Sequence, residues 1–284
     1  MGLSCILTDS AAQFTRPSFQ GSKYVKYLNN QIEMEKGHIV DLRQVKITDL
    51  PKRVKPSCPP SLIPPTVEDL SSVILSLYQS FDDIFIVLAS SGLYPTYSLM
   101  EQVVCNLHGR AAIHLIDSQS VAIGEGQIVQ YAAKYITENM NPAKIEERLR
   151  EIVPHIYGLF CTPNLSYLHN AGFIDYSQAT VGEMMSILPL FALEEGVLNP
   201  MDKVKNYRNV IDSFNEFIDE FDELENVSFI HPAVSGLIEA KLIRQHMEEN
   251  YPQVSYSEYV INPFLASLVG PRGMGIMITE TIDY

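Results

Sequence analysis

Ile113-His-Leu-Ile-Asp117-Ser118-Gln-Ser120-Val-Ala-Ile-Gly124-Glu-Gly126 is the stretch of this 284-residue chain that decides its fold. An apolar, β-prone run breaks at Asp-Ser and passes two glycines into a helix-forming segment, 126–138. A strand, a loop and a helix in that order make the repeating unit of an open α/β sheet, and ligands of such sheets sit at the carboxyl ends of the strands. The loop offers hydroxyls and backbone N–H groups but no Lys, Arg or His. Chemistry of that kind binds; it has no obvious catalyst.

Working outward, the same alternation recurs. Cys5-Ile-Leu-Thr reads as a first strand ending at Asp9-Ser10, and Ile84–Leu88 as a second, ending at Ser90-Ser91. Apolar residues at 67, 70, 73, 74 and 77 have helical spacing, with Thr66 and Asp69 placed as a helix start. Helices are also expected over 97–107 and 142–152, and a strand over 111–116. The six prolines between Pro51 and Pro65 predict an irregular loop. Beyond Phe160 the texture changes: 186–193 and 197–198 around Glu194-Glu-Gly predict a strand pair. Val210, Phe214, Phe217, Ile218, Phe221 and Leu224 form a helical stripe, followed by a strand over 226–230, a helix over 234–249 and a closing strand over 274–279. The expected fold is α/β in two domains. Residues 1–158 form a doubly wound, mainly parallel sheet, and residues 159–284 an α/β domain with a mixed or antiparallel sheet.

Composition narrows the function. A net charge of −14 with only 20 Lys and Arg argues against nucleic acid, whose binding depends on clustered cations. No apolar run could span a bilayer and no signal peptide is visible, so a cytoplasmic protein is expected. Cys5, Cys58, Cys105 and Cys161 lack the close spacing of a metal site or disulfide framework. No G-x-S-x-G elbow or H-E-x-x-H helix is present, and His231 before Pro232 sits in an ordinary loop context. Gly124-Glu-Gly126 lacks the third glycine of a dinucleotide fingerprint, Val129 standing there. The Gly270–Gly275 cluster reads as a turn feeding the last strand. Loops 9–10, 90–96 and 117–120 should share one crevice, a hydroxyl-rich cradle for a polar head or small anion. The same residues would also serve as ordinary Asx and Ser turns.

Taken in order, these residues resemble the DegV family of bacterial lipid-binding proteins over nearly the whole chain. Ile6-Leu-Thr-Asp9-Ser10 is similar to the family's opening T-D-S, and Ala89-Ser90-Ser91-Gly-Leu93-Tyr-Pro-Thr96-Tyr97 to its S-S-x-L-S-G-T-Y loop. Ile116-Asp117-Ser118-Gln-Ser120-Val121, with Gly124 and Gly126, matches D-S-x-S-V-x-x-G-x-G. Leu165–Gly172, Ile187-Leu-Pro189-Leu, Pro263 and Gly270-Pro271 resemble its later motifs.

The resemblance implies a long-chain fatty acid buried between and within two domains. It implies no catalysis by the protein itself and a separate fatty acid kinase as partner; no cofactor and no metal are expected. Burying an acyl chain gains about 0.8 kcal/mol per CH₂, so about fourteen methylenes yield on the order of 11 kcal/mol before ordering costs. A tunnel lined by Leu, Ile, Met and Phe would therefore suffice for the tail.

Departures cluster at the head. The family's carboxylate-binding Thr aligns to Leu62, beside Ile63, or with a gap to Ser57. Its second carboxylate-binding hydroxyl is Tyr94 here, its Arg is Phe173 and its His is Leu268. Three consequences are open. Ser90, Ser91, Thr96 and the Tyr94 phenol, with Ser118 beside them, could hold the head; the ligand could be an ester or alcohol; or kinase coupling could be lost. The expectation is a non-enzymatic lipid carrier with altered head recognition. The alternative is an enzyme acting on a small phosphorylated or acyl substrate in the three-loop crevice.

Overall fold

The computed structural model describes residues 2–16, 18–35, 37–54, 60–107, 111–233 and 237–282. In chain order its first elements are β1 (Ser4–Asp9), β2 (Val25–Leu28), β3 (Gln31–Glu35), β4 (His38–Asp41), β5 (Ser61–Ile63) and α1 (Val67–Tyr78). Next come β6 (Asp83–Leu88), α2 (Thr96–Cys105), β7 (Ala112–Asp117), α3 (Ile123–Thr137) and α4 (Pro142–Ile152). The remainder comprises β8 (Ile156–Cys161), α5 (Leu165–Asn170), α6 (Tyr176–Met184), β9 (Leu188–Glu194), β10 (Val197–Val204) and α7 (Tyr207–Asp219). Last are β11 (Leu224–His231), α8 (Leu237–Asn250), β12 (Ser255–Val260), α9 (Pro263–Val269) and β13 (Met274–Glu280).

These elements form two compact units that interleave in sequence. Unit 1 takes residues 1–31, 63–154 and 195–197; unit 2 takes 32–62, 155–194 and 198–284. They are therefore not the contiguous segments 1–158 and 159–284 that the sequence suggests. The cause is visible in the hydrogen bonds. Tyr167 Oη donates to the Pro51 carbonyl at 2.6 Å, Asn164 Nδ2 to Lys52 at 2.7 Å and Asn170 Nδ2 to Pro60 at 3.0 Å. Side chains from the second half thus satisfy the carbonyls of Pro51, Lys52 and Pro60.

The sheet of unit 1 has the order β2-β1-β6-β7, and every recorded pair within it is parallel. Its central strands are buried on both faces, which is why Asp83-Ile-Phe-Ile-Val-Leu88 is an almost unbroken apolar run. Cys5 and Leu7 of β1 face one way, into a core with Leu70, Ile74, Leu77, Met100 and Val103 of α1 and α2. The alternate β1 residue Thr8 points to the opposite face, toward α3.

Helix α1 begins at a complete capping box. Asp69 N–H donates to Thr66 Oγ1 at 3.1 Å, and Thr66 N–H to Asp69 Oδ2 at 3.3 Å. Thr66→Ala removes the hydroxyl arm and leaves the backbone N–H to Asp69, and a loss of about 1 kcal/mol is expected, read as a lower urea midpoint at unchanged slope.

Unit 2 holds a mixed sheet ordered β10-β9-β8-β13-β11-β12 and a small sheet ordered β4-β3-β5. β8 runs antiparallel to both β9 and β13, β13 antiparallel to β11, and β11 parallel to β12. The apolar stripe of α7, with Val210, Phe214 and Ile218 fully buried, packs on this sheet with α8.

Several sequence expectations change in detail. β5 is a strand inside the segment read as irregular, whose residues 55–59, including Ser57 and Cys58, lie outside the described residues. Residues 234–236, where α8 was expected to start, also lie outside them. Phe221 and Leu224 fall beyond the end of α7. Helix α3 begins at Ile123, so Gly124 and Gly126 lie in its first turns and not in the loop.

Candidate functional site

Loops leave the carboxyl ends of β1, β6 and β7, and hydrogen bonds within unit 1 draw them together. Ser90 N–H donates to the Ser120 carbonyl at 2.8 Å, and Gln13 N–H to the Ala122 carbonyl at 3.0 Å. Ser91 Oγ donates to Asp117 Oδ2 at 2.5 Å, and Ser91 N–H to Asp117 Oδ1 at 3.2 Å. Asn30 N–H donates to Ser10 Oγ at 3.1 Å.

The turn into α3 is strained. Gln119 has φ 47°, and Ala122, at the helix start, has φ 53° and ψ −119°, a conformation that side chains with a Cβ rarely adopt. The Ala122 carbonyl accepts from both Gln13 and Gly126, which fixes the strained residue in place. Gly126 is where the chain after β1 crosses α3: a Cβ there would lie 1.9 Å from the Gln13 carbonyl oxygen. That contact explains a glycine inside a helix, where glycine is otherwise unfavourable.

Hydroxyls in the cluster divide into two groups. Ser90 Oγ donates to the Gly196 carbonyl at 2.5 Å and accepts from Gly92 N–H at 3.2 Å. Ser118 Oγ donates to the Ser120 carbonyl at 3.1 Å and accepts from Ser120 N–H at 3.2 Å. With Ser91 bound to Asp117, these three serines are committed to the loops. Thr96 Oγ1 and Ser120 Oγ are different: both residues are fully buried, and neither oxygen has a hydrogen-bond partner among the described residues. A buried hydroxyl left in that state is costly unless something completes it. Ser120, in the sequence part of the loop 117–120, thereby joins Thr96 as a candidate to meet a ligand.

The same strand ends carry a pair of buried carboxyls, one of them bonded to the Ala89 N–H beside loop 90–96. Asp9, fully buried, accepts from Ala11 N–H at 2.6 Å; burial pushes its carboxyl up to about 6, against the opposing pull of the Ala11 and Ala89 N–H groups and the Asn30 side chain. Glu125, equally buried, accepts from Thr8 Oγ1 at 2.9 Å. Burial, and then the charge of Asp9, hold it well above the usual carboxylate range. The start of a helix ordinarily favours a carboxylate, but here loss of water outweighs it. Tyr94 is buried in the same cluster; burial and then the Asp9 charge keep its phenol protonated, as a donor.

The other expected site residues lie elsewhere in the chain's organisation. Ile63 ends β5; Leu62 belongs to unit 2 and is half-buried. Leu268 is buried within α9, and Phe173, half-buried, follows the left-handed Gly172. Surface grooves of about 460, 390 and 620 Å³ open on unit 2, and each is lined by residues outside the three-loop cluster. Among the described residues, no group of three metal-ligating side chains is close enough to hold an ion, and no helix is long and apolar enough to cross a membrane.

A parallel-sheet unit whose strand ends gather hydroxyl-bearing loops, interleaved in one chain with a mixed-sheet unit, defines a two-unit α/β protein. A family model described as an uncharacterised protein, DegV family, matches residues 5–281, and the chain belongs to that family. A DegV domain-containing protein of Staphylococcus aureus is 26% identical over 202 residues, 70% of this chain and 69% of that protein. Among solved structures, a DegV family protein from Thermus thermophilus described as fatty acid binding superposes with a TM-score of 0.83 at 17% identity, covering 98% of this chain and 100% of that one. The fatty acid kinase B3 protein of Streptococcus pneumoniae, solved loaded with linoleic acid, superposes with a TM-score of 0.81 at 13% identity, with the same coverage. At such identities the likeness establishes a shared fold.

Proposed function

We propose that this protein binds a long-chain fatty acid or a related lipid, with the polar head at the three-loop cluster of unit 1 and the tail hidden from water. It acts in the cytoplasm as a carrier or presenting protein and not as an enzyme, with the two units as its domains. The observation that carries this reading is the pair of buried, unpartnered hydroxyls, Thr96 and Ser120, at the strand ends of a fold shared with proteins described as fatty acid binding. A head group supplies the missing partners. The tail supplies most of the free energy, since each methylene removed from water contributes about 0.8 kcal/mol. Phe173 and Leu268 stand where the resemblance expects a cation and an imidazole, so hand-over to a fatty acid kinase is weakened.

Native mass spectrometry of the purified protein tests the reading. A co-purified lipid of roughly 250–300 Da is expected, the size for which tail burial gives tight binding. An empty protein that takes up no lipid from vesicles would overturn it. Tyr94→Phe keeps the ring and removes the donor. Affinity for palmitic acid should drop about fivefold to tenfold, the worth of one neutral hydrogen bond, as read by competition with a fluorescent fatty acid. Unchanged affinity would remove Tyr94 from the head site.

A further inference from the structure

We infer that the polar end of this site receives an uncharged head group, and that a fatty acid enters it at neutral pH only together with one proton. This rests on the lipid-binding reading and specifies its ligand.

The geometry supplies the argument. Asp9 ends β1, Glu125 lies in the first turn of α3, and Tyr94 closes the loop before α2. All three are buried, and the charge of Asp9 acts on both of the others. Asp117, at the end of β7, adds a further negative charge acting on Glu125. What opposes burial at Asp9 is neutral: two backbone N–H groups and the amide of Asn30. Among the described residues, no cation takes part. Loops 9–10, 90–96 and 117–120 contain no Lys, Arg or His, and no described residue elsewhere supplies one to these two carboxyls.

Asp9 accepts from the Ala89 N–H and its charge acts on Tyr94, so a carboxylate head entering at loop 90–96 would meet an acid already burdened by burial, with no positive charge among the described residues acting on it. Two carboxylates in one water-poor site do not both stay ionised; one proton is shared between them. An alcohol faces no such penalty. Its hydroxyl can accept from Thr96 or Ser120 and donate to an acceptor.

Palmitic acid and hexadecanol distinguish these heads on the intact protein. Because Asp9 loses its own proton near pH 6, palmitic acid affinity should fall about tenfold per unit above that pH, whereas hexadecanol affinity should stay within about twofold from pH 6 to 8. Calorimetry at pH 8 in buffers of different ionisation enthalpy should show uptake of about one proton per palmitate bound and none for hexadecanol. Asp9→Asn should remove most of that uptake and raise palmitate affinity at pH 8 at least tenfold. Palmitate binding without proton uptake, or with uptake that Asp9→Asn leaves intact, overturns this inference while the lipid-binding reading stands. Failure of both lipids to bind at every pH overturns the reading itself and the inference with it.

Discussion

Asp9→Asn is expected to stabilise the folded protein at pH 8 by on the order of 3 kcal/mol relative to its effect at pH 4. In the unfolded chain the Asp9 carboxyl titrates near 4, about the ordinary value; in the folded protein burial raises it to about 6. Below pH 4 both states carry the proton and the side chain costs nothing. Between pH 4 and 6 the unfolded chain releases its proton while the folded one retains it, so stability falls by about 1.4 kcal/mol per unit. Above pH 6 the full cost of a buried charge is present. Asparagine avoids it, and its Oδ1 can still accept from Ala11 N–H, the bond Asp9 Oδ1 makes at 2.6 Å. Urea denaturation of both proteins at pH 4, 6 and 8 measures the difference. A difference that does not change with pH would mean that Asp9 carries no penalty in the fold.

Gly126→Ala is expected to destabilise by about 3 kcal/mol, the upper part of the range for forcing atoms into filled space. Most Gly→Ala changes inside helices stabilise, since alanine has the better propensity. Here the added carbon would meet the Gln13 carbonyl oxygen at 1.9 Å, and that atom is backbone, held by the crossing of the post-β1 loop over α3. The oxygen cannot rotate away as a side chain would. Relief requires the loop or the helix to move, which disturbs the Gln13–Ala122 hydrogen bond and the strained turn beside Ser120. Lipid uptake should suffer along with the thermal midpoint. A variant as stable as the parent would show that the crossing has slack.

Much of unit 1 is legible in the sequence because burial on both sheet faces leaves an unmistakable mark. Ile84–Leu88 in the central strand β6 is an apolar run closed by a hydroxyl-bearing turn, and Thr66 with Asp69 marks a helix start outright. The apolar stripe of α7 shows equally well. Other elements leave weaker traces. β2 pairs as Val-Lys-Tyr-Leu with only its ends buried, so neither alternation nor an apolar run appears. β5 is three residues among prolines, and β12, at the sheet edge, is only partly covered. α9 is buried all round within seven residues, too short and too uniformly apolar to display a helical period. The three loops of the site are readable from their positions at strand ends. The carboxyl pair is not, because Asp9 and Glu125 lie 116 positions apart in sequence and only the β1–α3 packing joins them. The one clue is an acidic residue between two glycines at the start of a helix, with Ile128 and Val129 one turn on. The strain at Ala122 left no trace at all, since alanine does not advertise a left-handed backbone.

The threading of this chain has a bearing on how it is made. Residues 32–62 emerge from the ribosome early, yet the side chains that bond the carbonyls of Pro51, Lys52 and Pro60, from Tyr167, Asn164 and Asn170, are synthesised about a hundred residues later. That proline-bearing excursion must wait, unsupported, while the strands around it find one another. Neither half of the polypeptide can be finished before the other has been translated, so any truncation near the midpoint leaves both bodies incomplete.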